Sequence, residues 1–247
     1  LVFSDPIDDK NLNQWTKSVR FADRTRFVEE IQNGLIVGDT ATEISKRLFG
    51  TIRQAGTDGV RQITRRNLQG LAQTTINGIT NRARSELYAR NRDVFSKEIF
   101  VATLDSRTTP VCRANDGKEF NIGEGATPPL HFNCRSLRVP KLAVQKLAKR
   151  PASGVSKKLL EGLKGPERRA KVAQLTGQVP AETTYSQFLK RQTKGFQAEV
   201  MGVKKAKLFR EGGLNLDNFV NQAGNELNLR QLQLAHPEAF VRAGIKL

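Results

Sequence analysis

Cysteine and histidine are scarce in this chain, with two of each among 247 residues. Two cysteines are too few for a disulfide framework and fit synthesis in a reducing cytoplasm. Aromatic residues make up only 6% and do not interleave with the basic stretches, which disfavours stacking of single-stranded bases. No run of about 18 apolar residues occurs, so no transmembrane helix is expected. No secretory signal pattern opens the sequence. It starts at Leu1 and its one methionine is Met201, so it reads as a processed product or as the ordered part of a longer chain. Acidic residues are short too, 24 against 41 Lys and Arg, for a net charge of +17. Such a charge opposes compaction and favours a polyanionic neighbour, nucleic acid first, then an acidic protein or anionic membrane surface. Apolar content of 38% points to an elongated shape, or to one completed by partner chains.

Enzyme signatures are missing as well. There is no H-E-x-x-H, no phosphate-cradling G-x-x-x-x-G-K-[ST] and no dinucleotide-binding glycine motif. The zinc-deaminase pairing of H-x-E with P-C-x-x-C is also absent. Catalysis is not expected.

The periodicity that is present is helical. Leu12, Trp15, Val19 and Ala22, then Val28, Ile31 and Leu35, recur at spacings of three and four. Thr40 to Glu43 reads as a capping box opening a short helix with Ile44 and Leu48. A longer helix carries Val60, Ile63, Leu68, Leu71, Ile76, Ile79, Ala83 and Leu87 as its apolar set. Its other faces bear Arg61, Arg65, Arg66, Arg82, Arg84 and Arg90, with Glu86 the one acid nearby. These arginines fit either a solvated face or sequence-independent contact with the phosphates of double-stranded DNA.

From Glu98 the pattern changes. Ile99 to Leu104 reads as a strand, Thr109-Pro110 as the start of one helical turn, Asp116-Gly117 as a tight turn, and Lys118–Phe120 and Ser136–Val139 as two further strands. Lys141–Lys149 suggests a basic helix running into a linker or break at Pro151 to Gly154. Thr183 or Thr184 caps a later helix; another, Lys204–Arg210, stops at Gly212-Gly213. "LNLDNFV" reads as an extended connector, Asn228 caps a last helix, and His236 reads as a helix-end residue. The expected fold is α+β, mainly α, with helical arms flanking a small three-stranded sheet. Its parts are a helical region (1–97), a β motif (98–140), a basic helix and linker (141–180) and a C-terminal helical extension (181–247).

Both cysteines and one histidine fall within the β motif. Cys112, His131 and Cys134 supply three of the four ligands that a structural zinc site needs, and Asp105 or a water is the natural fourth. Packed thiols beside a hydrogen-bonded His131, or a Cys112–Cys134 disulfide, are the ordinary alternatives. Around them, Arg107, Gly117 and Arg135 suit structural turns, in which an Asp105–Arg135 or Asp116–Arg pair locks the chain.

The stretches "VATLDSRTTPVCRANDGKEF" and "PPLHFNCRSLRVP" resemble the phage Mu protein F-like minor head proteins, the phage head morphogenesis family. The shared pattern is a strand ending in L-D-x-R-T, a cysteine, a D-G-K turn, and P-P-x-H-x-x-C-R. "NGLIVGDTATEISKRL", "NRARSELYARN" and the segment from Thr183 to Val220 extend the likeness on either side. It implies a virion protein, made in the bacterial host cytoplasm and placed in the capsid interior near the portal vertex. Implied partners are the portal ring, packaged DNA and coat or scaffolding protein, with several copies around the portal and no membrane. Some relatives influence DNA delivery, and some carry C-terminal toxin domains, of which this tail bears no motif. The family's metal-type positions fall on Cys112, His131, Cys134 and Asp105, in line with a structural Zn2+. The reading from another class is an effector or enzyme delivered with DNA, using Cys112 and His131 as a thiol centre.

Overall fold

The computed structural model describes residues 21–49, 59–141 and 148–246. The fold is α+β and mainly α. Chain contacts divide it into two compact units, one built from Leu1–Asn91 with Gly125–Arg138 and the other from Arg92–Glu124 with Val139–Leu247.

In the first unit, helices α1 (Phe21–Val37), α2 (Ala41–Phe49) and α3 (Gly59–Arg90) bury Ile31, Ile44, Leu71 and Ala72 together. The capping box forms as its spacing predicts. Thr40 N donates to the Glu43 carboxylate at 2.7 Å, and Glu43 N donates to Thr40 Oγ1 at 3.3 Å. Leu12, Trp15 and Val19 lie outside the described residues. In α3 the apolar series holds at Leu71 but not at Leu87, which is 55% exposed. Thr74, Thr75 and Asn81 are buried in that helix instead.

Strands β1 (Lys97–Val101), β2 (Glu119–Asn121) and β3 (Leu137–Pro140) form a three-stranded sheet in the order β2-β1-β3. β1 and β2 run antiparallel, with Glu98 opposite Phe120. The single turn α4 (Pro110–Asn115) starts at Thr109 with Pro at its first position, where the missing N–H costs nothing. Further on, β4 (Lys149–Ser153) pairs antiparallel with β5 (Thr176–Pro180), and Leu104 bridges to Ala152 on the other side of β4.

Two expectations change here. Lys149 opens a strand rather than closing a basic helix, and residues 142–147 lie outside the described residues. The expected break at Pro151 to Gly154 is largely strand. Arg150 and Ala152 are buried while Lys149 and Pro151 face out, a period-two pattern that outweighs the proline. Pro151 is tolerated because it stands opposite Gln178 at a position where β4 makes no hydrogen bond to β5.

The larger core lies in the second unit. Helix α5 (Gly165–Leu175) precedes β5, and α6 (Tyr185–Lys190), α7 (Lys194–Met201), α8 (Val203–Arg210), α9 (Leu229–Ala235) and α10 (Pro237–Arg242) follow it. Tyr185, Phe188, Leu189, Phe196, Leu208, Phe209, Phe219, Leu232 and Phe240 pack with Leu104 and Ala152. Thr184 and Asn228 each cap through a reciprocal box with Gln187 and Gln231. Leu216–Phe219 forms a 3-10 turn where an extended connector was expected, because Asn215 and Asn218 cap it reciprocally.

Candidate metal centre

The segment His131–Cys134 is a tight knuckle, closed by Cys134 N donating to His131 O at 3.1 Å. Asn133 takes a left-handed φ of 61°, which asparagine tolerates better than most residues. A polar stripe on α3 holds the knuckle in place. Thr74 Oγ1 accepts from Asn133 N at 2.8 Å, and Asn77 Nδ2 donates to the carbonyls of Cys134 and Ser136, each at 3.0 Å. Asn81 Oδ1 accepts from Arg138 N at 2.9 Å. Gly70 completes the stripe, since a Cβ there would sit 2.6 Å from the Phe132 ring. Positions 70, 74, 77 and 81 recur at four, three and four, so they lie on one helix face. That face reads backbone polar groups, which is why it is polar. Sequence reasoning followed the apolar series and missed it. The available signal was a run of Gly, Thr and Asn, all poor helix formers, at helical spacing.

The imidazole is set by the knuckle itself. Its Nδ1 lies 2.8 Å from Phe132 O, and a carbonyl only accepts, so Nδ1 carries the proton and Nε2 presents a lone pair. Such a backbone bond to the distal nitrogen is the usual orienting contact of a metal-ligating histidine. Cys112, on α4, is 1% exposed and Cys134 is fully buried. The two are not joined by a disulfide in this structure. The ligand atoms of Cys112, His131 and Cys134 all lie within 4.8 Å of one another. A tetrahedral zinc with bonds of about 2.3 Å to sulfur places two thiolates roughly 3.8 Å apart. The group could hold a metal ion, and two thiols with an imidazole are a zinc-type donor set.

Asp105 is not part of this group. Its carboxylate accepts from Arg107 N at 3.0 Å and Thr108 Oγ1 at 3.2 Å, and so shapes the turn at the end of the strand.

Residues 25–138 match the family described as phage Mu protein F like protein. This stretch is similar to the members of that family. It covers a little under half of the chain and contains the whole knuckle, all three ligand candidates and the α3 stripe. No curated protein and no solved structure matches the chain. The chain beyond residue 138, which supplies all of the larger core except Leu104, lies outside the match.

Within the matched segment the D-G-K turn fixes the local geometry. Gly117 takes a φ of +83°, and a Cβ there would meet Thr184 at 2.8 Å. Asp116 just before it is buried and binds Arg150 in a two-pronged ion pair, with Nη2–Oδ1 at 2.9 Å and Nη1–Oδ2 at 3.2 Å. The same carboxylate accepts from Ala102 N and Tyr185 N, both at 2.6 Å. Arg150 also donates to the carbonyls of Thr183 and Ala102. An Asp116–Arg lock was expected, but its arginine comes from β4, beyond the matched segment. Tyr185 adds a hydrogen bond from its hydroxyl to Asp105 O at 2.7 Å. Arg107 is largely exposed and pairs with Asp105 at 3.4 Å, while Arg135 is half-buried.

Arg113, next to Cys112, is also buried. Its Nη1 donates to Val200 O at 3.1 Å, and desolvation pushes its pKa below the ordinary arginine value. Of the α3 arginines, Arg82 and Arg90 are exposed and Arg84 is half-buried. The side chains of Arg61, Arg65 and Arg66 lie outside the described residues.

Proposed function

We propose that this chain is a bacteriophage minor head protein, a virion component acting in head assembly or DNA delivery. The match of residues 25–138 to a phage family carries that reading. In it, the protein sits in the capsid interior near the portal vertex, with the portal ring, packaged DNA and coat or scaffolding protein as neighbours. The net charge of +17 suits a place beside packed DNA. Contacts to phosphates through Arg82, Arg84 and Arg90, with Arg61, Arg65 and Arg66 earlier on the same helix, would be independent of sequence. Several copies around a ring would supply buried area to one another and to the portal.

Cys112, His131 and Cys134 would hold a structural Zn2+, which would cross-link the short elements that carry them. The reading as a thiol enzyme gains little from the geometry. Cys112 is almost wholly buried, whereas a reactive cysteine needs access and an electropositive setting.

Co-expression with the portal protein of the same phage tests the assembly role. A complex that co-elutes on size exclusion supports it, and separate elution contradicts it. Retention of duplex DNA should weaken steeply between 50 and 200 mM salt, by roughly a hundredfold or more if several phosphates are contacted. Salt-independent or absent retention would remove the DNA contact.

A further inference from the structure

We infer that helix α5 and the turn before it form a binding surface for the phosphates of duplex DNA, carried by the part of the chain beyond the family match. The turn is a 3-10 turn (Lys158–Leu160), and α5 packs against it. From Lys157 to Lys171 the sequence holds six basic residues, Lys157, Lys158, Lys164, Arg168, Arg169 and Lys171, against two acids, Glu161 and Glu167. The first five are exposed and Lys171 is half-buried. Among the described residues none of the six side chains forms an ion pair, and the Lys171 ammonium donates to Gln174 Oε1 at 3.1 Å. The turn is anchored from below. Leu160 is buried, and the Glu199 carboxylate accepts from the backbone N–H groups of Lys157 and Lys158 at 2.9 and 3.4 Å. Both lysine side chains stay exposed on that fixed backbone.

Packing does not account for this helix. None of its 11 residues is buried, and none belongs to either hydrophobic core. A helix without an apolar face usually depends on ion pairs between successive turns, and among the described residues this one has none. Its cations are not placed to suit the helix either. The last turn, where a cation would be favoured, carries no basic residue. Arg168 and Lys171 lie three apart on one face, with Lys164 at its start. From Lys164 to Lys171 the surface runs about 10 Å along the axis, comparable with about three base-pair steps of a duplex. The composition selects the occupant. No aromatic residue lies between Lys157 and Leu175, and no large apolar side chain there is exposed. Protein interfaces rely on aromatic and apolar anchors at their centre, single strands on stacking, and membrane-surface helices on an apolar face. Duplex phosphates need only cations and donors. The site draws on the second unit alone, and neither the α3 arginines nor the phage assignment enters it.

The test titrates the full chain against two labelled duplexes of unrelated sequence, by fluorescence anisotropy across a range of salt. Both duplexes should bind equally. Lys164→Gln/Arg168→Gln/Arg169→Gln removes charge at exposed positions and keeps helix propensity. Affinity should fall at least about tenfold at low salt, and the slope of log affinity against log salt by about one per residue replaced. Lys194→Gln/Arg230→Gln/Lys246→Gln, an equal loss of charge at other exposed positions, should leave the slope unchanged. A second readout needs no variant: bound duplex should shield Lys157, Lys158 and Lys164 from an amine-acetylating reagent, while Lys194 and Lys246 react as before. Absent DNA binding, equal losses in the two triple variants, or no shielding would overturn the proposal. Displacement of the duplex by poly-glutamate of matched charge at equal concentration would overturn it too, and would make the surface a site for an acidic protein. Loss of binding in Arg82→Gln/Arg84→Gln/Arg90→Gln, with none in the α5 variant, would remove this site and leave the α3 contact standing. The converse would support this site and remove the α3 contact.

Discussion

Replacing Arg150 by methionine should destabilise the second unit far more than any surface change. The side chain is 8% exposed, and its Asp116 partner is fully buried. Removing one member of a buried ion pair costs about 3–5 kcal/mol, because the other charge stays behind unpaired. Here Asp116 keeps two backbone donors, Ala102 N and Tyr185 N, so the lower end, about 3 kcal/mol, is expected. For a unit of this size that corresponds to a fall in melting temperature of roughly 6–12 °C. Arg150→Lys should recover only part of the loss, since an ammonium cannot span both carboxylate oxygens and the carbonyls of Thr183 and Ala102. Urea unfolding of Arg150→Met, Asp116→Asn and the double variant gives the coupling. The double should cost less than the two singles added, by about 1.5 kcal/mol or more. A cost under about 1 kcal/mol for Arg150→Met, or strict additivity, would refute the reasoning.

Further outcomes follow from the same physical chemistry. Asn77→Ala removes a donor from each of the carbonyls of Cys134 and Ser136, the latter keeping a longer bond of 3.4 Å from Asn81 Nδ2, and should cost about 1–3 kcal/mol by urea unfolding. Gly70→Ala should lower stability by about 1 kcal/mol although alanine favours helix, because the clash with Phe132 exceeds the gain in propensity. Glu119 is held below the ordinary carboxylate range, first by its hydrogen bond to Lys141 and then by the charges of Lys141 and Lys97. A depressed folded value means that this contribution is present above the unfolded pKa and is lost as pH falls through the folded one; carboxyl-carbon NMR titration reads it, and Lys141→Ala should move the midpoint up. Elemental analysis should find one zinc per chain, and Cys112 should react slowly with iodoacetamide until a chelator removes the ion. No zinc, with melting unchanged on chelation, would remove the metal reading.

Local signals in this sequence were legible where the chemistry is local. Thr40 with Glu43, Thr184 with Gln187 and Asn228 with Gln231 each announce a helix start, and each forms one. The Asp116-Gly117 turn and the three strands of the motif were readable for the same reason. Longer-range features were not. Nothing near Asp116 says that its arginine is Arg150, 34 residues on. Pro151 conceals a strand, because a breaker at a position without a hydrogen bond to β5 looks the same as one that ends an element. The candidate ligands stood out because cysteine and histidine are rare here. The α3 stripe that positions two of them did not, since Thr74, Asn77 and Asn81 look like surface residues until the knuckle is laid on them. The described residues include no helix long and apolar enough to cross a membrane, in line with the hydropathy of the sequence.

The phage assignment has one decisive measurement. Quantitative mass spectrometry of density-purified virions, and of DNA-filled heads separated from their tails, reports whether this chain is a head component and in how many copies. The account predicts its presence in both preparations at a constant ratio to the portal protein. Its absence from filled heads, with free protein abundant in the lysate, would contradict it.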